Sequence, residues 1–126
     1  ELKNTTGHPV SLEGCKVNTI NTVDKVLTGA DDGTHDVVIP ANGYLVFGNS
    51  AAVKDAVGSG AGFYNLGGSL NLDKASDCIG LTCDGTVIDS VSYDTGNGWT
   101  VKTGKSMFLK DGFDATGNDD FANWCT

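Results

Sequence analysis

The sequence predicts an all-β fold, an antiparallel β-sandwich of about seven or eight strands with one short helix. The clearest sign is a hairpin over residues 78–93, where two runs rich in Ile, Val, Thr and Tyr flank the pair Asp84-Gly85. Asp-Gly supplies the positive φ angles that a two-residue type I′ turn requires. The chain also has 18 glycines in 126 residues, roughly twice the usual share of about 7%, which is typical of many short strands joined by tight turns.

The other elements follow from turn residues and strand-like runs. Pro40 lacks an N–H group and so ends the strand before it, while the apolar run 44–47 indicates a strand with a packed layer on each side. Ser50 is a favourable N-cap for a helix of at most two turns over residues 51–57, ended by Gly58. Strands are predicted over residues 1–4, 10–17, 35–39, 44–47, 69–72, 78–83, 86–93 and 106–110.

Length and charge restrict the function. A chain of 126 residues suits one domain over residues 1–126. Its net charge of −8 and its lack of arginine argue against a nucleic-acid partner. No apolar run approaches the roughly 18 residues of a membrane span, so membrane insertion is not expected. The start at Glu1, within a predicted strand, suggests a fragment of a longer chain.

The four cysteines predict two disulfides and an oxidising, extracellular compartment. Cys78 and Cys83 are too far apart along one extended strand to bond to each other. That leaves Cys15 and Cys125 as their partners, and the favoured pairing is Cys83–Cys125 with Cys15–Cys78. A zinc site is disfavoured, because no C-x2-C or H-x3-5-H spacing occurs.

Six short motifs follow one another along the chain. They are E-L-x-N-x-T-G at 1–7, V-x-L-x-G-C at 10–15, I-P-A-x-G-Y-L-V at 39–46, D-G-T-x-I-D-x-V-x-Y at 84–93, G-x-S-M-x-L at 104–109 and N-W-C at 123–125. In this order the motifs resemble those of bacterial lamin-tail domains. The resemblance implies an Ig-like β-sandwich, related to the tail domain of nuclear lamins, that is a secreted or cell-surface module without catalytic residues. The chain departs from the family by lacking its first strand and Gly-Thr-Pro-Gly tail, and by carrying Cys15 where many members have an aromatic residue.

Two acid-rich loops are candidate calcium sites, because calcium prefers flexible sets of oxygen ligands. The favoured set is Asp111, Asp114, Asp119 and Asp120, and a second group contains Asp31, Asp32 and Asp36. Neither loop has the ligand spacing of an EF-hand. The favoured interpretation is nevertheless that these acids are solvated turn residues, since Asp bonds readily to its own backbone in turns.

Two further residues are ambiguous. Asp89 shares strand parity with apolar neighbours, so it is either a buried catalytic acid or, as favoured here, a carboxylate that accepts backbone N–H groups at a bulge. Trp99 follows Gly96-Asn97-Gly98 and is either a contact residue in a loop or, as favoured, a plug at the end of the sandwich.

No catalytic constellation is recognisable. There is no G-x-S-x-G motif, and neither His8 nor His35 is placed by the sequence as a general base. The sequence therefore predicts a non-catalytic extracellular structural or interaction module of a larger secreted or surface protein, which recognises a protein or glycan partner. The alternative is a calcium-dependent adhesive or carbohydrate-binding module that uses the acidic loops and Trp99.

Overall fold

The computed structural model describes residues 1–20, 22–58 and 60–126, and these form an all-β fold, as predicted. The strands are β1 (Leu2–Lys3), β2 (Val10–Ser11), β3 (Lys16–Thr19), β4 (Thr22–Val26), β5 (Val38–Ile39), β6 (Tyr44–Gly48), β7 (Ala61–Asn65), β8 (Ser76–Cys83), β9 (Thr86–Asp94), β10 (Phe108–Leu109) and β11 (Trp124–Cys125). Short 3₁₀ helices cover Ala51–Ala56, Thr95–Asn97 and Phe121–Asn123.

The strands form two larger sheets and two small pairs. The four-stranded sheet has the order β4-β3-β8-β9 and is antiparallel throughout, and the three-stranded sheet has the order β1-β6-β7. The pairs are β2 with β5 and β10 with β11. Strands β6 and β7 are parallel, contrary to the prediction of a fully antiparallel fold. The intervening chain, which contains the helix Ala51–Ala56, is long enough for the crossover that a parallel pair needs.

One buried cluster joins the two larger sheets. Val17 and Leu81 come from the four-stranded sheet, and Leu45 and Tyr64 come from the three-stranded sheet. Full burial of a leucine such as Leu45 contributes roughly 1.5–3 kcal/mol. The two larger sheets therefore share one core.

The predicted hairpin is present as β8 and β9. Asp84 and Gly85 have φ angles of 49° and 76°, the positive values that the type I′ turn requires. A β-bulge lies between Leu81 and Thr82, where Leu81 pairs with Asp89 and Thr82 pairs with Val87. Strand β9 thus contributes one extra residue at this point.

Several elements differ from the prediction. Residues 69–72 form no strand, the predicted strand 10–17 is divided into β2 and β3, and β4, β7 and β11 lie where no strand was predicted. The predicted helix over residues 51–57 is a 3₁₀ helix, Ala51–Ala56, and the Ser50 hydroxyl accepts from the Ala52 N–H as an N-cap.

The predicted disulfide pairing is wrong. The structure contains a Cys15–Cys83 bond with a Cα–Cα distance of 4.3 Å, and Cys78 and Cys125 are free. The register that pairs Lys16 with Thr82 puts Cys15 directly opposite Cys83 on the neighbouring strand. Cys78 lies five positions before Cys83, so it faces the other side of the sheet; there its Sγ is 3.2 Å from the Ser90 Oγ.

A buried carboxylate, not foreseen from the sequence, fastens the start of β8. Asp77 Oδ1 accepts from the backbone N–H groups of Ile20 (3.0 Å) and Cys78 (2.8 Å), and its Oδ2 accepts from that of Asp73 (3.0 Å). A buried carboxylate must be matched by hydrogen-bond donors. Here the donors come from three segments, at Ile20, Asp73 and Cys78, so the bonds join these segments.

Candidate functional site

The candidate site is the C-terminal loop, defined here as residues 110–123, together with Phe108 at its base. The loop is closed by a bond from the Lys110 N–H to the Asn123 carbonyl oxygen (2.9 Å). Inside it, Asp114 Oδ1 accepts from the N–H (2.9 Å) and hydroxyl (2.8 Å) of Thr116, and Asp120 Oδ1 accepts from the Ala122 N–H (2.9 Å). The Thr116 hydrogen bonds lower the pKa of the Asp114 carboxyl, which is therefore ionised at neutral pH.

The favoured calcium set is not assembled. Within residues 1–20, 22–58 and 60–126, no group of three or more His, Cys, Asp or Glu side chains could hold a metal ion. The structure therefore does not bring Asp111, Asp114, Asp119 and Asp120 together as a metal site. Asp114 and Asp120 instead bond to the backbone two residues ahead, as the favoured interpretation of solvated turns expected.

The second acidic group also bonds to its own surroundings. Asp32 Oδ1 accepts from the Thr34 N–H (2.8 Å), and this bond is the main cause of the lowered pKa of Asp32. Asp36 Oδ2 accepts from the Phe63 N–H (2.8 Å). These carboxylates thus hold the segment that borders β7.

His35 has the one close histidine–carboxylate contact in the described part of the chain. Its Nδ1 is 2.7 Å from Asp32 Oδ2 and 3.1 Å from Thr34 Oγ1, and its ring meets Tyr64 edge-on at 5.0 Å. Both polar contacts use the same ring nitrogen. The described contacts therefore place no nucleophile at Nε2, where a general base would have to act.

The base of the C-terminal loop is anchored to the bulge in β9. The buried Asn118 donates from Nδ2 to Asp89 Oδ2 (2.7 Å), and its backbone carbonyl oxygen accepts from Trp124 Nε1 (2.7 Å). Asp89 Oδ1 accepts from the Ser90 N–H (2.8 Å). Asp89 is thus a hydrogen-bonding residue at the bulge, in agreement with the favoured structural interpretation.

Trp99 does not serve as a surface contact in this structure. It is 8% exposed, and its ring packs on that of Trp124 with the centroids 5.7 Å apart. This burial gives no support to a contact role and agrees with the favoured interpretation of a plug. Tryptophan has a large apolar surface, and here Trp124 in β11 supplies a second indole to cover it.

Three phenylalanines around this anchored loop are exposed. Phe108, Phe113 and Phe121 are 57%, 45% and 48% exposed, whereas Phe63 in the core is 1% exposed. Their exposure was not predicted from the sequence. A usable signal was present, because Phe113 and Phe121 occur among Gly, Asp and Asn residues in a turn-rich segment with no strand alternation to bury them.

Two of these rings rest against glycine. A Cβ atom added at Gly117 would lie 2.7 Å from Phe113 Cδ1, and one added at Gly98 would lie 3.0 Å from Phe121 Cζ. Each glycine therefore lets a ring approach the backbone closely. One side of each ring is held in this way while the side chain stays about half exposed.

No family model matches the chain, no curated protein matches it, and no solved structure matches it. The resemblance to lamin-tail domains therefore stays a prediction from sequence motifs. None of the helices in the described ranges is both long and apolar enough to cross a membrane. The Cys15–Cys83 bond indicates an oxidising environment.

Proposed function

We propose that this domain is a non-catalytic interaction module of a larger secreted or surface protein, which recognises a protein or glycan partner outside the cell. The observation that carries the proposal is the exposure of Phe108, Phe113 and Phe121 on one anchored loop and its base. Aromatic side chains are usually well buried, and those left exposed on a rigid surface commonly form binding hot spots.

The scaffold supports this function. A binding surface outside the cell must keep its shape without the help of intracellular chaperones. The Cys15–Cys83 bond contributes to this by linking two neighbouring segments of the larger sheet. The bond from Asn118 to Asp89 ties the loop to that sheet, and the bond from Trp124 to Asn118 ties it to β11. A loop held in this way loses little conformational entropy on binding.

The lamin-tail resemblance supports the same proposal independently, because it implies a non-catalytic module at the cell surface. Calcium-dependent adhesion is not retained as a second candidate, since the four carboxylates that would have supported it do not come together.

The test is binding to the cell envelope of the organism that makes the protein. Fluorescently labelled domain is titrated onto intact cells, isolated envelope protein and isolated envelope glycan, and bound material is measured after sedimentation. We expect saturable binding that falls roughly tenfold when Phe113→Ser and Phe121→Ser are combined.

The matched control combines Val38→Ser and Val53→Ser, which remove two exposed apolar side chains outside the C-terminal loop. This variant should bind like the unaltered domain. Absence of saturable binding to every fraction, or equal losses in the two variants, would contradict the proposal.

A further inference from the structure

We propose that the C-terminal loop is a docking surface for a lysine- or arginine-rich segment of a partner protein. This inference rests on the proposed function and adds the location of the binding surface and the chemistry of the partner. It combines two properties of the same short stretch of chain, exposed aromatic rings and unneutralised negative charge.

The apolar part of the surface consists of the three phenylalanines. Phe113 and Phe121 lie against the backbone at Gly117 and Gly98, so they are held in place while about half of each side chain is exposed. The face of an aromatic ring carries partial negative charge and attracts cations, above all the planar guanidinium of arginine.

The negative part consists of Asp111 and Asp119. Neither side chain takes part in a hydrogen bond or ion pair in the structure as described, so both are free to pair with a ligand. Asp114 and Asp120 add two further carboxylates, whose positions are fixed by their bonds to the backbone.

The loop has little positive charge of its own to oppose this. Lys110 is its one lysine, and the Lys110 Nζ donates to the Ala122 carbonyl. An extended basic segment could therefore place its cations on the carboxylates and its aliphatic stems on the rings.

Charge complementarity favours this occupant over a glycan. A neutral sugar would stack on the rings and donate its hydroxyls to the carboxylates, but it would leave their negative charge uncompensated. An acidic polysaccharide would be repelled by a domain of net charge −8. A basic protein segment is the ligand class that covers the rings and also neutralises the charge.

The experiment measures fluorescence anisotropy of labelled deca-arginine titrated with the oxidised domain at physiological ionic strength. A neutral Gly-Ser peptide of equal length is the negative probe. The test variant combines Asp111→Asn and Asp119→Asn, and the matched control combines Asp31→Asn and Asp55→Asn. Each changes the net charge from −8 to −6 at exposed positions, but only the first does so in the loop.

We expect the loop variant to weaken binding roughly 3- to 30-fold and the control variant to leave it within about 2-fold. Phe113→Ser should weaken binding roughly tenfold without changing the net charge. Circular dichroism confirms that each variant is folded, and the Asp variants keep the test valid if Phe113→Ser does not fold.

Equal weakening by the two Asp pairs would show that the peptide responds only to overall charge and would overturn the inference. Tight binding of the Gly-Ser peptide would overturn it as well. If the domain binds isolated envelope glycan but not deca-arginine, the proposed function stands and the basic partner is wrong. If it binds neither the envelope nor the peptide, both proposals fail.

Discussion

Removal of the Cys15–Cys83 bond tests the register of the four-stranded sheet. The bond spans a sequence separation of 68 residues, and closing a loop of this size stabilises the fold by about 4 kcal/mol at 25 °C in the chain-entropy model. Measured disulfides commonly contribute about 2–4 kcal/mol. An unfolding entropy of about 2 cal/mol/K per residue over 126 residues converts this range to a fall in Tm of roughly 8–15 °C.

The assay is thermal unfolding followed by circular dichroism, with and without reductant. The test variant combines Cys15→Ala and Cys83→Ala, and the control combines Cys78→Ser and Cys125→Ser, which alter the two free thiols. We expect the control to keep the Tm and its sensitivity to reductant. The test variant should melt at the lower temperature whether or not reductant is present.

Two results would refute the structural argument. One is a Tm of the Cys15/Cys83 variant that still falls on addition of reductant, because a second disulfide would then be holding the fold. The other is a Cys83–Cys125 or Cys15–Cys78 linkage in peptides mapped without reduction, because the pairing of Lys16 with Thr82 puts Cys15 opposite Cys83.

Three further predictions concern the four-stranded sheet and its edge. Asp77→Ala removes the acceptor of three backbone N–H groups. Urea titration should therefore show the free energy of unfolding lowered by roughly 3 kcal/mol. Asp77→Asn keeps one acceptor oxygen and should lower the free energy of unfolding by less; equal losses in the two variants would contradict this account. Gly80→Ala would put a Cβ atom 2.4 Å from Asn18 Oδ1. We therefore expect the free energy of unfolding to fall by roughly 1–3 kcal/mol. Combining Gly80→Ala with Asn18→Ala should largely restore the stability, and a double variant that stays destabilised would show that the clash lies elsewhere. Burial, with the nearby charges of Asp77 and Asp73, raises the pKa of Tyr93. A raised native-state pKa gives stability that is complete below the unfolded-state value of about 10 and is lost as pH rises through the native-state value. In Tyr93→Phe, the free energy of unfolding measured with urea should therefore fall less as the pH rises above about 10. An unchanged pH profile would contradict the raised pKa of Tyr93.

The parts of the fold that could be predicted from the sequence depend on neighbouring residues. Asp84-Gly85 determines the β8–β9 turn by its own backbone preferences, and Ser50 caps the helix after it through one local bond. Strand β7 was missed because it follows a glycine-rich segment and gains its stability from pairing with β6. Residues 69–72 alternate like a strand, yet alternation without a neighbouring backbone partner does not make one.

The disulfide shows the same limit. Elimination of Cys78–Cys83 was sound, but the choice among the remaining pairings required the knowledge that β3 lies beside β8. Strand adjacency is a long-range property that no spacing along the chain reports. Once that register is known, the alternation of side chains along β8 is enough to show that Cys78 and Cys83 face opposite sides of the sheet.

The acids of the C-terminal loop show why composition alone left two roles open. Aspartate suits both metal ligation and the capping of its own turn, and the two roles have the same composition. In the described structure Asp114 and Asp120 bond to the backbone, whereas Asp111 and Asp119 make no such bond. The bonded pair restricts the loop, and Phe113 and Phe121 lie against Gly117 and Gly98. Because a restricted surface loses less conformational entropy on binding, the bonds that occupy Asp114 and Asp120 within the loop also support the proposed recognition of a basic segment.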